Sequence, residues 1–144
     1  MNGSENERWL ERMDGYALDR RPPEVYGDWE VDVSLISEWF GSLDQGSKAQ
    51  VAAAIHVLTQ RGPSLGRPLV DTVRGSKYNN MKELRPGSTG DSELRILFAF
   101  DYERRAIMLV AGDKSRSWNR WYRKSIHEAE RLLDEHMERS RGSN

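Results

Sequence analysis

The sequence predicts an α+β fold: a small, antiparallel-rich sheet packed by an N-terminal helical hairpin and a C-terminal helix. Three observations predict it. Leu94–Phe100 and Ala106–Val110 are apolar runs of strand length, joined by the polar turn Asp101-Tyr102-Glu103-Arg104. Two segments between Ile36 and Leu58 repeat apolar residues at helical spacing. Trp118, Tyr122, Ile126, Ala129, Leu133 and Met137 then recur every three or four residues, one stripe of a long amphipathic helix. The order β-α-α-β-β-β-α groups helices and strands instead of alternating them, which separates this chain from α/β folds. With 144 residues it holds one compact domain.

Residues 1–28 read as an N-terminal extension. They are polar and carry the helix-breaking pair Pro22-Pro23, with Trp9, Leu10 and Met13 able to form one docking turn. The domain proper is expected over residues 29–139, with a tail at 140–144. Trp29–Ser34 alternates apolar and polar residues, the period of a half-buried strand. Ile36, Trp39, Phe40 and Leu43 start a helix, and Gly46 is its expected stop. Ser47 and Gln50 have the spacing of a capping box, so a second helix is expected from Ser47, with Val51, Ile55 and Leu58 on one face, ending near Gly62-Pro63.

Residues 62–80 are rich in Gly and Pro and read as loop. Strands are expected at Tyr78–Leu84, at Leu94–Phe100 with Leu94, Ile96, Phe98 and Phe100 on one face, and at Ala106–Val110, the central strand. Pro86–Gly90 is the turn between the first two. Short turns imply an antiparallel meander. The last helix is expected from Ser117 to Arg139.

The net charge of -1 conceals a division. Residues 1–60 carry 5 basic and 11 acidic side chains, residues 61–124 carry 14 and 7, and residues 125–144 carry 3 and 5. A basic middle between acidic ends suits a surface that meets phosphates, although 17 of the 22 basic residues are Arg and a compositional bias accounts for part of that. The chain has no cysteine, which excludes disulfides and thiolate chemistry and fits a cytoplasmic location. Neither a signal peptide nor an apolar run of membrane-spanning length is evident. His56, His127 and His136 lack the spacing of a zinc site, and no phosphate-binding loop or dinucleotide fingerprint is present.

The candidate chemistry lies in the basic residues of the sheet. Lys82 and Arg85 bracket Glu83-Leu84; Arg95 interrupts an apolar strand on the face opposite Leu94 and Ile96; Lys114 follows the last strand, with Arg116 close behind; Tyr122 and Arg123 open the last helix. An antiparallel meander brings Lys82, Arg95, Lys114 and Tyr122 toward one cleft. Guanidinium groups hold phosphate bidentately and stabilise charge that grows during phosphoryl displacement, and a Lys or Tyr with a shifted pKa relays protons. RNA brings its own nucleophile, the 2′-hydroxyl, so such a site cuts RNA without a metal or other cofactor. The same spacing also fits cations that merely solvate a sheet face. Trp118 and Tyr122 fall on the core stripe, whereas Trp121 lies off it and is the stacking candidate.

Taken together, Gly75-Ser76-Lys77-Tyr78, Met81-Lys82-Glu83-Leu84-Arg85, Ser92–Phe100, Val110-Ala111-Gly112-Asp113-Lys114, Trp118–Tyr122 and Ile126–Glu130 resemble the phage Gp49-like, HigB-type toxins of the RelE/ParE superfamily. The resemblance covers roughly residues 29–137. It implies a RelE-like fold and a ribosome-dependent mRNA endonuclease cutting in the ribosomal A site. It implies neutralisation by a cognate helix-turn-helix antitoxin of the HigA type. By position it implies that Arg95 binds the scissile phosphate, that Lys82 and Arg85 are the basic pair of the preceding strand, and that Lys114 and Tyr122 complete the catalytic set. Lys77, Arg85, Arg116, Trp121 and Arg123 are the expected RNA-binding residues. The extension at residues 1–28 departs from the family pattern. The competing functions are a ParE-like poison of DNA gyrase, which needs no cationic phosphate site, and an RNA-binding module without cleavage.

Overall fold

The computed structural model describes residues 29–87, 90, 92–115 and 118–142. The expected extension at 1–28 lies outside them, as do parts of the Pro86–Gly90 turn. Strand β1 (Glu30–Asp32) leads through a 3₁₀ turn (Ser34–Ile36) into the short helix α1 (Ser37–Gly41) and the longer α2 (Gln45–Arg61). Strands β2 (Val70–Thr72), β3 (Lys82–Leu84), β4 (Leu94–Phe100) and β5 (Arg105–Asp113) follow, and helix α3 (Trp118–Gly142) closes the chain. The sheet order is β1-β5-β4-β3-β2. β1 runs parallel to β5, and every other neighbouring pair is antiparallel. The central strand is β4, not β5 as expected: β5 is paired on both edges, but the extra strand β2 beyond β3 moves the centre of the sheet to β4. The α+β fold read from the sequence is therefore the fold observed.

Two apolar layers enclose the sheet. On one face Leu84, Leu94, Ile96, Phe98, Ala106 and Met108 meet Ile36, Phe40, Val51, Ala54, Ile55 and Leu58 of the helical hairpin. On the other, Met81, Leu97, Ala99, Ile107 and Leu109 meet Ala129 and Leu133 of α3. The alternation in β4 thus sends Leu94, Ile96 and Phe98 to the hairpin and the residues between them to α3, as the strand period requires.

Several local expectations are corrected. Gly46 does not stop a helix, and Ser47 does not cap one: α1 already ends at Gly41, and Asp44 caps α2 by accepting the Ser47 backbone N–H at 2.6 Å. The Asp side chain satisfies an amide that has no partner inside the helix, and Gly46 sits in the first turn. α2 ends at Arg61 because Gly62 adopts a positive φ of 53°, with the Trp29 indole packed where a Cβ would stand.

The segment read as loop contains the extra strand β2, which makes five strands where four were expected. The expected strand Tyr78–Leu84 is cut to its last three residues. Tyr78 leaves the sheet to donate its hydroxyl to Asp134 of α3. β5 runs to Asp113, with a register shift against β4 at Leu97/Phe98 that leaves Leu109 as the extra residue. α3 extends to Gly142, past the expected Arg139. Its core stripe holds at Ile126, Ala129, Leu133 and Met137 but fails at the start, where Trp118 is 55% exposed and Trp121 takes the inward position over Gly112.

Candidate functional site

The site forms where β3, β4 and the end of β5 meet the first turns of α3. Register decides its members. β3 and β4 pair Lys82 with Phe98 and Glu83 with Leu97, so Lys82 lies on the hairpin side while Glu83 lies on the α3 side with Arg95. β4 and β5 pair Arg95 with Gly112. The shift at Leu109 turns Val110 and Gly112 to the α3 side, and the Trp121 indole packs directly over Gly112, where any Cβ would collide with it. A bulge and a glycine together let the start of α3 approach the strand beside Arg95.

A continuous ladder of alternating charge crosses this face. Arg67 Nε lies 3.8 Å from Asp71, and Arg85 Nη2 lies 3.3 Å from the same carboxylate. Arg85 Nε donates to Glu83 Oε1 at 2.8 Å. Arg95 Nε lies 3.8 Å from Glu83 Oε1, and Arg95 Nη2 and Lys114 Nζ each lie 3.8 Å from Glu93 Oε1. Four cations thus share three carboxylates. The separations of 3.8 Å are charge contacts beyond hydrogen-bonding distance. Arg95 donates through Nη1 to the Leu94 carbonyl at 2.7 Å, but its Nε is buried without a hydrogen-bond partner among the described residues.

Glu83 is buried at 3% exposure, with Oε2 also lacking a hydrogen-bond partner among the described residues. Tyr122 faces Glu83 and Arg95. Burial first, and then the Glu83 carboxylate, push its pKa up to about 12, against an opposing pull from Arg95. The hydrogen bond to Glu83 raises the Arg85 pKa against the cost of burial. Lys114 Nζ stands 5.6 Å from the Trp118 ring centroid and 5.7 Å from that of Tyr122.

Of the expected catalytic set, Arg95, Lys114 and Tyr122 converge. Lys82 does not: its ammonium donates to Thr72 Oγ1 at 2.9 Å on the opposite side of the sheet. Of the expected RNA-binding set, Arg85 joins the cluster. Trp121 borders it but packs against the α3-side core, leaving Trp118 as the exposed ring. Arg123 is exposed on the first turns of α3. Lys77 is held elsewhere, its ammonium on Asp134 at 2.9 Å. That anchor lies twelve residues along α3 from Tyr122, about 18 Å away at the helical rise. Arg116 lies outside the described residues.

Sequence reasoning missed Glu83. The available signal was its position between Lys82 and Arg85 in a strand whose odd-numbered residues share the Arg95 face once the register is known. Among the described residues no group of three His, Asp or Glu side chains is arranged to hold a metal ion.

Chemically, the cluster offers guanidinium and ammonium donors to an anion and a protonated phenol beside them. Residues 38–134 match the family described as phage derived protein Gp49-like (DUF891). The chain is 56% identical over 109 residues to the "Putative toxin HigB2" of Mycobacterium tuberculosis (strain ATCC 25618 / H37Rv). That alignment covers 76% of this chain and 54% of the relative, so the chain spans about half the relative's length. It is 50% identical over 91 residues to the "Putative toxin HigB3" of the same organism, covering 63% of this chain and 77% of the relative. No solved structure gives a significant match.

Proposed function

Because the chain belongs to the phage-derived Gp49-like family, we propose that it is the toxin of a type II toxin–antitoxin pair and acts as a ribosome-dependent mRNA endonuclease. The domain that carries the activity is residues 29–139, and the protein works in the cytoplasm, where its substrate is. Its cognate antitoxin is a helix-turn-helix protein. No described helix is long and apolar enough to cross a membrane.

One observation carries the nuclease reading: the Arg95 guanidinium stands with Arg85, Lys114 and Tyr122 around the Glu83 and Glu93 carboxylates, four cationic and proton-bearing groups from separate parts of the chain brought to one place. A guanidinium binds a phosphate bidentately, and neighbouring cations add to its hold on the anion. Arg95 and Arg85 hold the scissile phosphate, and Lys114 adds charge beside it. The RNA 2′-hydroxyl loses its proton to solvent water as its oxygen attacks phosphorus, the bond from phosphorus to the 5′-oxygen breaks, the 5′-oxygen takes a proton, and the products are a 2′,3′-cyclic phosphate and a 5′-hydroxyl. A phenol with a pKa of about 12 keeps its proton at neutral pH, which suits Tyr122 to donating to the departing 5′-oxygen and not to accepting a proton.

The test is mapping of mRNA ends in a translation extract with wild type and Arg95→Ala. Wild type should yield breaks on translating messages, and the variant should lose about 10²–10³-fold in rate, the scale of removing one donor to a charged transition state. Intact mRNA in a wild-type extract whose translation has stopped would overturn the nuclease reading.

A further inference from the structure

Trp118 is unexplained by the phosphate site alone. It is the first residue of α3 and is 55% exposed, an unusual position for an indole. Its ring is nonetheless fixed. It meets Tyr122 edge to face, with centroids 6.1 Å apart at 85°, and Tyr122 meets Trp121 in the same way at 5.1 Å and 78°. Lys114 Nζ lies 5.6 Å from the Trp118 centroid. Trp121 anchors this run against Gly112 and the core. The outermost ring is therefore braced while its surface stays open.

The geometry points to Trp118 as a stacking platform for an unpaired nucleobase of the RNA whose phosphate Arg95 and Arg85 hold, a subsite that rests on the nuclease reading. Tyr122 touches both the cationic cluster and Trp118, so the phosphate position and the indole are separated by one ring, a spacing within the reach of a single nucleotide. The surroundings favour a base over a protein side chain. The other exposed large apolar residues among those described are in different elements, Leu35 in the 3₁₀ turn and Tyr102 in the β4–β5 turn, so the exposed apolar surface at Trp118 is not extended by them. Its charged neighbour is the ammonium of Lys114, which belongs to the cationic cluster. An aromatic face at the edge of a cationic cluster is the composition that binds single strands, in which stacking tolerates any base and cations hold the backbone.

The test measures binding of a short single-stranded RNA, 2′-O-methylated throughout to prevent cleavage, and of an abasic oligomer with the same backbone, across a salt series. Trp118→Ala should weaken binding of the base-bearing RNA about tenfold, on the order of one lost stacking contact, with an unchanged salt slope and an unchanged affinity for the abasic oligomer. Trp118→Phe should recover most of the loss. Arg85→Ala should instead weaken both oligomers and flatten the slope. Equal binding of the base-bearing RNA by wild type and Trp118→Ala overturns the subsite and leaves the nuclease reading in place. So does a Trp118→Ala chain that binds RNA normally but fails to retain its antitoxin, which assigns the ring to a protein partner. Absence of salt-dependent wild-type binding to either oligomer, together with intact mRNA on translating ribosomes, removes both.

Discussion

The two faces of the sheet are built from the same strands to different ends. The hairpin face is apolar throughout its core: β4 contributes Leu94, Ile96 and Phe98, and α2 answers with Val51, Ile55 and Leu58. The α3 face is apolar under the later turns of α3, at Leu97, Ala99, Ala129 and Leu133. Under the first turns of α3 the same strands place the charged Glu83 and Arg95 facing Tyr122. The contrast separates stability from function by side. Burying Glu83 and leaving an Arg95 donor without a hydrogen bond weakens the fold, and the apolar core of the opposite face offsets that cost.

If that division holds, damage to the hairpin face should unfold the protein without redesigning the site. Phe98→Ala removes a fully buried ring that meets Phe100 edge to face with centroids 5.4 Å apart. It should lower stability by about 3–5 kcal/mol, read by urea unfolding. On the proposed nuclease reading, the mRNA-cutting rate per folded molecule should stay near wild type at low temperature. A selective loss of cutting in folded Phe98→Ala protein would show that the two faces are not independent.

The division also explains what was legible in the sequence. Alternation in Leu94–Phe100 reveals both faces at once, because each residue parity finds its own core, and the three-four spacing from Ile126 to Met137 reveals the docked part of α3. β2 was hidden because its three residues, Val70–Thr72, are too short for any period and lie among glycines and prolines. The capping error arose because Asp44 and Ser47 are both good caps, and only the chain path selects between them. Within the site, the convergence of Arg95 with Lys114 and Tyr122 followed from antiparallel pairing. Lys82 was misplaced because facing depends on a one-residue register that the sequence does not display. The outward Trp118 and inward Trp121 were exchanged for a related reason: which ring of the first turn faces the sheet depends on the approach of α3 to Gly112, and that approach is set by the β5 bulge and not by the helix stripe.

A sharper test of the charged face is Glu83→Gln, which keeps the shape and removes the buried charge. Arg85 loses its charge-assisted bond, so stability should fall by about 1–3 kcal/mol in urea unfolding. The Tyr122 titration should move back toward that of an ordinary tyrosine, followed by phenolate absorbance, since Glu83 is one cause of its upward shift. A Tyr122 titration that does not move would mean that burial alone sets its acidity.

Tyr122→Phe isolates the phenol. Its pKa is raised above the ordinary value of 10.0 to about 12 in the folded chain, so the unfolded chain releases the proton first as pH rises. The linked stabilisation is complete below pH 10 and is lost between 10 and about 12. Wild type should therefore lose stability more steeply than Tyr122→Phe across that window. Near neutral pH the two should differ by less than about 1 kcal/mol, the usual size of one hydrogen bond.

The smallest effect is expected far from the site, where the end of α3 is fastened to the β4–β5 turn. His136 Nε2 lies 3.1 Å from Asp101 Oδ2, and Arg105 Nε approaches the same oxygen at 3.1 Å. Asp101 Oδ1 accepts the backbone amides of Glu103 at 2.9 Å and Arg105 at 3.0 Å. Burial raises the Asp101 pKa, but the His136 contact, the two amides and Arg105 together outweigh it, so the pKa ends below its ordinary 3.8. The folded chain therefore binds this proton less readily than the unfolded one. The linked stabilisation is complete above the ordinary carboxylate range and is lost as pH falls through the lowered folded value. Asp101→Asn should cost stability at neutral pH, and the cost should shrink as the solution is acidified, because wild type then loses what the variant already lacks. Parallel acid-unfolding curves for the two proteins would show that the turn is held by its backbone geometry and that the carboxylate charge contributes nothing. Because this fastening lies at the opposite end of α3 from Tyr122, mRNA cutting at neutral pH by folded Asp101→Asn should match wild type, which makes it the control against which losses at Arg95 are read.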